Sequence, residues 1–67
     1  MAKVEVPRGV LDGLEAVRQS GLTNMLDRAA VALLAAEFGF EDAARWIETH
    51  KKEFAAGIFR GFEATEE

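Results

Sequence analysis

The 67-residue sequence predicts an all-α fold: a compact bundle of three to four short helices, associated as a dimer. Apolar residues recur at helical spacing along most of the chain, and glycines separate the helical runs. Apolar residues make up 49% of the sequence, whereas a chain this short buries only about 60% of its unfolded surface. The excess predicts a homo-oligomer, most simply a dimer, because small domains without disulfides gain stability by association.

The two ends of the single domain (residues 1–67) are predicted to be flexible tails. Residues 1–6 alternate loosely between apolar and polar, but a strand there needs an edge with which to pair. Residues 63–67 are polar and follow the last helical run. We therefore expect the ordered bundle to lie between these two segments.

The first helix is predicted from Pro7 to Ser20, because proline suits a first helical turn and apolar residues follow at helical spacing. Gly9 and Gly13 weaken this helix by about 1 kcal/mol each relative to alanine, unless they let another helix approach closely. Gly21 is a natural stop, since it tolerates a left-handed backbone.

The second helix is predicted over residues 28–38, after a connector over residues 22–26 and a cap at Asp27. No charge occurs from Ala29 to Ala36. A helix that is apolar nearly all round is usually buried on more than one side. In so small a chain, we expect the second side to contact another subunit.

Gly39 ends that run, and Glu41 and Asp42 suit the first turn of a third helix. A further apolar stripe follows Lys52. Helices three and four could be one long helix, but Thr49 favours two, with Thr49 capping the fourth.

Composition disfavours several classes of function. The net charge of −4 and a pI near 4.9 disfavour nucleic acid as a partner. The sequence has no long apolar run for a membrane span and no secretory signal, which together with the absence of cysteine predicts a cytoplasmic protein. With one histidine and no cysteine or tyrosine, no catalytic residues, metal ligands or cofactor site can be assigned, so we expect no enzyme activity.

Two groups of residues are candidates for binding. Large apolar side chains in excess of what the interior can hold predict an interface, with the candidates Leu34, Phe38, Trp46, Phe54, Ile58, Phe59 and Phe62. Polar and basic side chains form the candidate ligand or anion site, namely Asn24, Arg45, His50, Lys51 and Arg60. The simpler explanation of the basic run at His50 is favourable charge at the end of the third helix.

The second and third helices, joined at Gly39, also resemble a helix-turn-helix. The would-be recognition helix carries Arg45 and Lys51 but also Glu41, Asp42 and Glu48, which would repel phosphates. Any two helices joined by a glycine turn give this pattern, so its specificity is low.

The connector and the later helices resemble a family of small phage and prophage proteins of unknown function. The specific part is a Gly-x-Thr-Asn-Met-x-Asp motif, here residues 21–27. Further matches are Val17-Arg18, Gly39-Phe40, Trp46-Ile47-Glu48, His50, Glu53-Phe54 and Ile58-Phe59, so that the resemblance spans about residues 14–61. The chain departs from the pattern in its alanine-rich second helix and in having Phe54 where a tyrosine is expected. The resemblance implies a phage origin and a host-cytoplasmic location, and it carries no activity.

These observations favour a non-catalytic phage accessory protein that acts by protein–protein interaction and modulates a host factor. One alternative is a nucleic-acid-binding regulator that uses the Gly39 turn. Another is an oligomer that sequesters a small anionic ligand.

Overall fold

The computed structural model describes residues 2–65. In chain order these form β1 (Val4–Val6), α1 (Arg8–Ser20), α2 (Arg28–Glu37), α3 (Glu41–Thr49), α4 (Lys51–Arg60) and β2 (Phe62–Ala64). The four helices pack into one globule, so the predicted bundle of short helices is confirmed. α3 and α4 are separate helices that break at His50, as favoured from the sequence.

Most helix ends lie where their capping residues predict. Gly21 follows α1 with a left-handed backbone at φ 68°. The Asp27 carboxylate accepts a hydrogen bond from the backbone N–H of Ala30 at 3.2 Å, which caps α2. The predicted Thr49 cap is wrong, because Thr49 is the last residue of α3 and its hydroxyl donates to the Arg45 carbonyl at 2.9 Å.

The two chain ends pair with each other, and the expectation of flexible tails is wrong over these segments. β1 and β2 form a two-stranded parallel sheet in which Val4 aligns with Phe62 and Val6 with Ala64. The Thr65 N–H donates to the Val6 carbonyl at 2.8 Å and extends the pairing beyond β2. The edge that β1 needs is therefore supplied by the opposite end of the chain, while residues 1, 66 and 67 lie outside the described residues.

The single chain builds its own hydrophobic core. All four helices and β1 contribute to it, and the buried apolar residues are Val6, Val10, Leu14, Val17, Val31, Ala32, Ala35, Ala43, Ala44, Ile47 and Phe54. α1 approaches α3 closely at Gly13, where an added Cβ would lie 2.4 Å from that of Ala43. Gly13 is thus a contact between helices, whereas nothing lies within 4 Å of a Cβ at Gly9.

α2 is buried on one side only within the chain. Val31, Ala32 and Ala35 face the core, but Leu33 is 61% exposed. The uncharged run Ala29–Ala36 therefore leaves an apolar helix face open to solvent. α2 ends at Glu37, one residue earlier than predicted.

Candidate functional site

The predicted interface residues divide between the core and the surface. Phe54 is only 3% exposed and belongs to the core, so its assignment to a subunit interface is corrected. Phe62 packs over Gly57, since an added Cβ there would lie 2.1 Å from the Phe62 ring. The Phe62 ring also meets the rings of Trp46 and Phe54, each with centroids 6.2 Å away. Much of the apolar surface of Trp46 and Phe62 is therefore buried within the chain.

Of the remaining four candidates, Phe38 and Phe59 keep more surface open. Leu34 and Ile58 are half-buried against the core. Phe38 is 39% exposed, and Phe59 is 84% exposed. Phe59 is therefore the most exposed of the predicted interface residues, and burial within the chain does not explain its apolar side chain.

The five candidate anion ligands do not converge on one site. Lys51 begins α4 and Arg60 ends it, so they are separated by about 13 Å along the helix axis. The Asn24 carboxamide oxygen accepts the Leu26 N–H at 2.9 Å, which holds the connector. Arg45 is exposed on α3. Of the five, Lys51 alone lines the groove described below.

His50 is held by α3. Its ring stacks on Trp46 with centroids 4.7 Å apart and planes 6° from parallel. Its Nδ1 lies 3.0 Å from the Trp46 carbonyl oxygen and 2.9 Å from the Thr49 hydroxyl oxygen. The ring therefore closes the end of α3 and does not join Lys51 and Arg60 around a common ligand.

A groove of about 190 Å³ runs between α4 and the connector. We call it the α4 groove; its lining residues are Leu26, Arg28, Lys51, Phe54, Ala55, Ile58 and Phe59. Phe54 forms its buried floor, whereas Leu26 and Phe59 are 64% and 84% exposed. Two of the most exposed large apolar side chains thus line one concave site, which is typical of a recognition surface.

Two cations line the same groove, and one of them also supports the fold. The Arg28 Nη1 donates to the carbonyl oxygens of Ile47 at 3.1 Å and Glu48 at 3.3 Å, in the last turn of α3. These carbonyls have no partner within the helix, so Arg28 ties the start of α2 to the end of α3. Lys51 is exposed at the first position of α4.

Sequence reasoning missed Leu26 and Arg28. The sequence assigns Leu26 only to the connector, although an apolar residue directly before a helix cap such as Asp27 often packs against the first turns of that helix. The sequence does not predict the role of Arg28, because its hydrogen bonds to Ile47 and Glu48 join segments that are far apart in sequence.

Among residues 2–65, no three His, Cys, Asp or Glu side chains gather in a way that could hold a metal ion. Over the same part of the chain, none of the helices is both long and apolar enough to cross a membrane.

Comparison with known proteins gives one family. The model of a domain of unknown function, DUF5049, matches residues 8–62, from the start of α1 into β2. The comparisons with curated proteins and with solved structures found no match. Because the match covers four-fifths of the chain, the protein belongs to the DUF5049 family of domains of unknown function.

Proposed function

We propose that this protein is a small, non-catalytic phage accessory protein that binds another protein, a host factor, through the α4 groove. The observation that carries the proposal is the pair Leu26 and Phe59, which leave an apolar groove open to solvent. Exposed aromatic side chains beside a preformed concavity are characteristic anchors of protein interfaces. The phage origin and host-cytoplasmic location rest on the resemblance of the connector motif, residues 21–27.

The alternatives have less support. α3 would be the recognition helix of a helix-turn-helix. Its exposed charged residues are three acids, Glu41, Asp42 and Glu48, and one base, Arg45, and this excess of negative charge repels phosphates. Sequestration of a small anionic ligand has less support because its candidate ligands, among them Lys51 and Arg60 at opposite ends of α4, do not converge on one site. The α4 groove encloses about 190 Å³, which suits one or two side chains of a partner.

A second surface favours self-association. Ala29, Leu33 and Ala36 occupy the solvent side of α2, and the run contains no charge. Small residues beside one leucine allow two helices to approach closely. We propose that α2 pairs with α2 of a second copy, which leaves the α4 groove for a different protein.

Photo-crosslinking in host cells tests the binding function. A photo-reactive amino acid placed at position 59 should give a discrete crosslinked species. The same amino acid at Leu22, which is 66% exposed but does not line the groove, serves as the matched control. A product at position 59 that is absent at position 22 supports the proposal, whereas no product, or equal products from both positions, contradicts it.

A further inference from the structure

We infer that the α4 groove binds an acidic amphipathic helix of its partner, with an apolar side chain between Leu26 and Phe59 and a carboxylate near Lys51. The inference rests on the proposed function and names the chemistry of the partner. It depends on three properties of the groove: the sign of its charge, the spacing of its parts and its shape.

The groove is positive in a chain that is negative overall. Arg28 and Lys51 line it, and among residues 2–65 no carboxylate does, although the whole sequence has a net charge of −4. α2 begins at Arg28 and α4 at Lys51, so two helix N-termini also meet at this end of the groove. Each carries the positive end of a helix dipole, although the carboxylate of Asp27 and the last carbonyl oxygens of α3, which accept from Arg28, offset part of this charge. A partner therefore gains most by presenting a carboxylate here.

The spacing of cation and apolar wall matches a helical partner. Lys51 and Phe59 lie on the same helix, eight residues apart, which corresponds to about 12 Å along its axis. A partner helix that lies along α4 spans this distance between residues i and i+7 or i+8. Both positions fall on one face of that helix, so a single amphipathic face can place a carboxylate at Lys51 and an apolar side chain at Phe59.

The shape of the groove also favours a helix. α4 contributes Ala55, Ile58 and Phe59 to the lining, and the connector contributes Leu26. Such rows of side chains accept the side-chain ridge of another helix, in the same manner as other grooves that bind amphipathic helices. Ala55 is the small residue that lets the partner approach α4 closely.

The test is selection from a display library of random 16-residue peptides on the full chain. Enriched peptides are expected to carry Asp or Glu seven or eight positions from Leu, Ile or Phe. Their affinity should fall at least tenfold with Phe59→Ser and with Lys51→Glu. A peptide in which the acidic residue is replaced by lysine should regain at least tenfold in affinity for the Lys51→Glu chain.

Matched variants separate groove binding from general effects of polarity and charge. Leu22→Ser changes a leucine as exposed as Leu26, and Lys52→Glu changes the neighbouring lysine, but neither residue lines the groove. Both variants should bind the peptides within about twofold of the unchanged chain. Circular dichroism of each variant confirms that a lost interaction is not a lost fold.

Four results would overturn the inference. In the first two, the selection enriches no peptide or enriches basic peptides. In the third, the enriched peptides bind equally well to the Phe59→Ser chain. In the fourth, the chain binds no peptide but binds phosphatidylglycerol vesicles, and this vesicle binding requires Phe59. A protein crosslinked from position 59 without acidic peptides in the selection refutes the partner chemistry alone. Acidic peptides without a crosslinked protein refute the host-factor function and leave the groove assignment standing.

Discussion

At the scale of single residues, Gly9 and Gly13 of α1 have different roles although the sequence presents them alike. An added Cβ at Gly13 would lie 2.4 Å from the Cβ of Ala43 and 2.9 Å from that of Phe40. Those carbons are fixed to the backbone, so α1 and α3 would have to separate. Gly9 has open space and an ordinary backbone.

Gly13→Ala should therefore destabilise the protein and Gly9→Ala should stabilise it. Overpacking costs about 1–3 kcal/mol, which exceeds the gain of up to about 1 kcal/mol in helix propensity at Gly13. The same gain is unopposed at Gly9. Thermal unfolding should show a lower Tm for the first variant and a slightly higher one for the second. Equal shifts would contradict the close approach of α1 to α3.

Arg28 joins the start of α2 to the last carbonyls of α3 through hydrogen bonds to Ile47 and Glu48. Arg28→Met should lower the free energy of unfolding by about 1.5–3 kcal/mol, since a hydrogen bond from a charged group contributes about that amount. Arg45→Met, on the exposed side of α3, is the control and should stay within about 0.5 kcal/mol. Urea denaturation measures the free energy of unfolding of both variants. Similar losses in the two would show that the hydrogen bonds from Arg28 to α3 do not stabilise the fold.

At the scale of elements, the sequence predicts the helices well, and it suggests a strand within residues 1–6 without indicating the strand with which it pairs. Asp27 and Gly21 mark their helix ends by local chemistry, which a sequence displays directly. The strands pair residues from opposite ends of the chain, and nothing within either segment indicates its partner. The α4 groove was missed for the same reason, because α4 and the connector meet only in the folded chain.

β1 should be an integral part of the fold, because Val6 is fully buried while Glu5 on the same strand is exposed. Val6→Ala should lower the free energy of unfolding by about 2 kcal/mol, through lost burial and the cavity that remains. Glu5→Ala should change it by less than about 0.5 kcal/mol. If urea denaturation gave equally small changes for both variants, β1 would not be part of the cooperative structure.

At the scale of the whole molecule, the composition predicts more apolar surface than one chain can bury, and the fold accounts for part of it. The core includes Phe54, which the sequence predicts at an interface. The two chain ends form β1 and β2, and Val6 of β1 adds to the buried apolar surface. What remains exposed is concentrated on Leu22, Leu26, Leu33, Phe38 and Phe59. The sequence gives Phe59 as one of seven interface candidates, without distinguishing it from the buried Phe54, and it does not predict its neighbours Leu26 and Arg28.

Self-association through α2 predicts a mass that depends on concentration. Sedimentation equilibrium should show dimers of the unchanged chain, and Leu33→Lys should raise the dissociation constant at least tenfold, since it buries a charge between two apolar helices. Leu22→Lys is the control, because Leu22 is equally exposed but lies outside α2. A chain that stays monomeric at high concentration would refute the dimer.

The proposed function requires Leu26 and Phe59 to be exposed for recognition and not to be needed for folding. The most direct test is the free energy of unfolding of the double variant Leu26→Ser/Phe59→Ser, measured by urea denaturation. We predict a change of less than about 1 kcal/mol, because exposed substitutions each contribute about 0.5 kcal/mol or less. A loss above about 3 kcal/mol, typical of buried leucine and phenylalanine, would show that these side chains support the fold and would contradict the account.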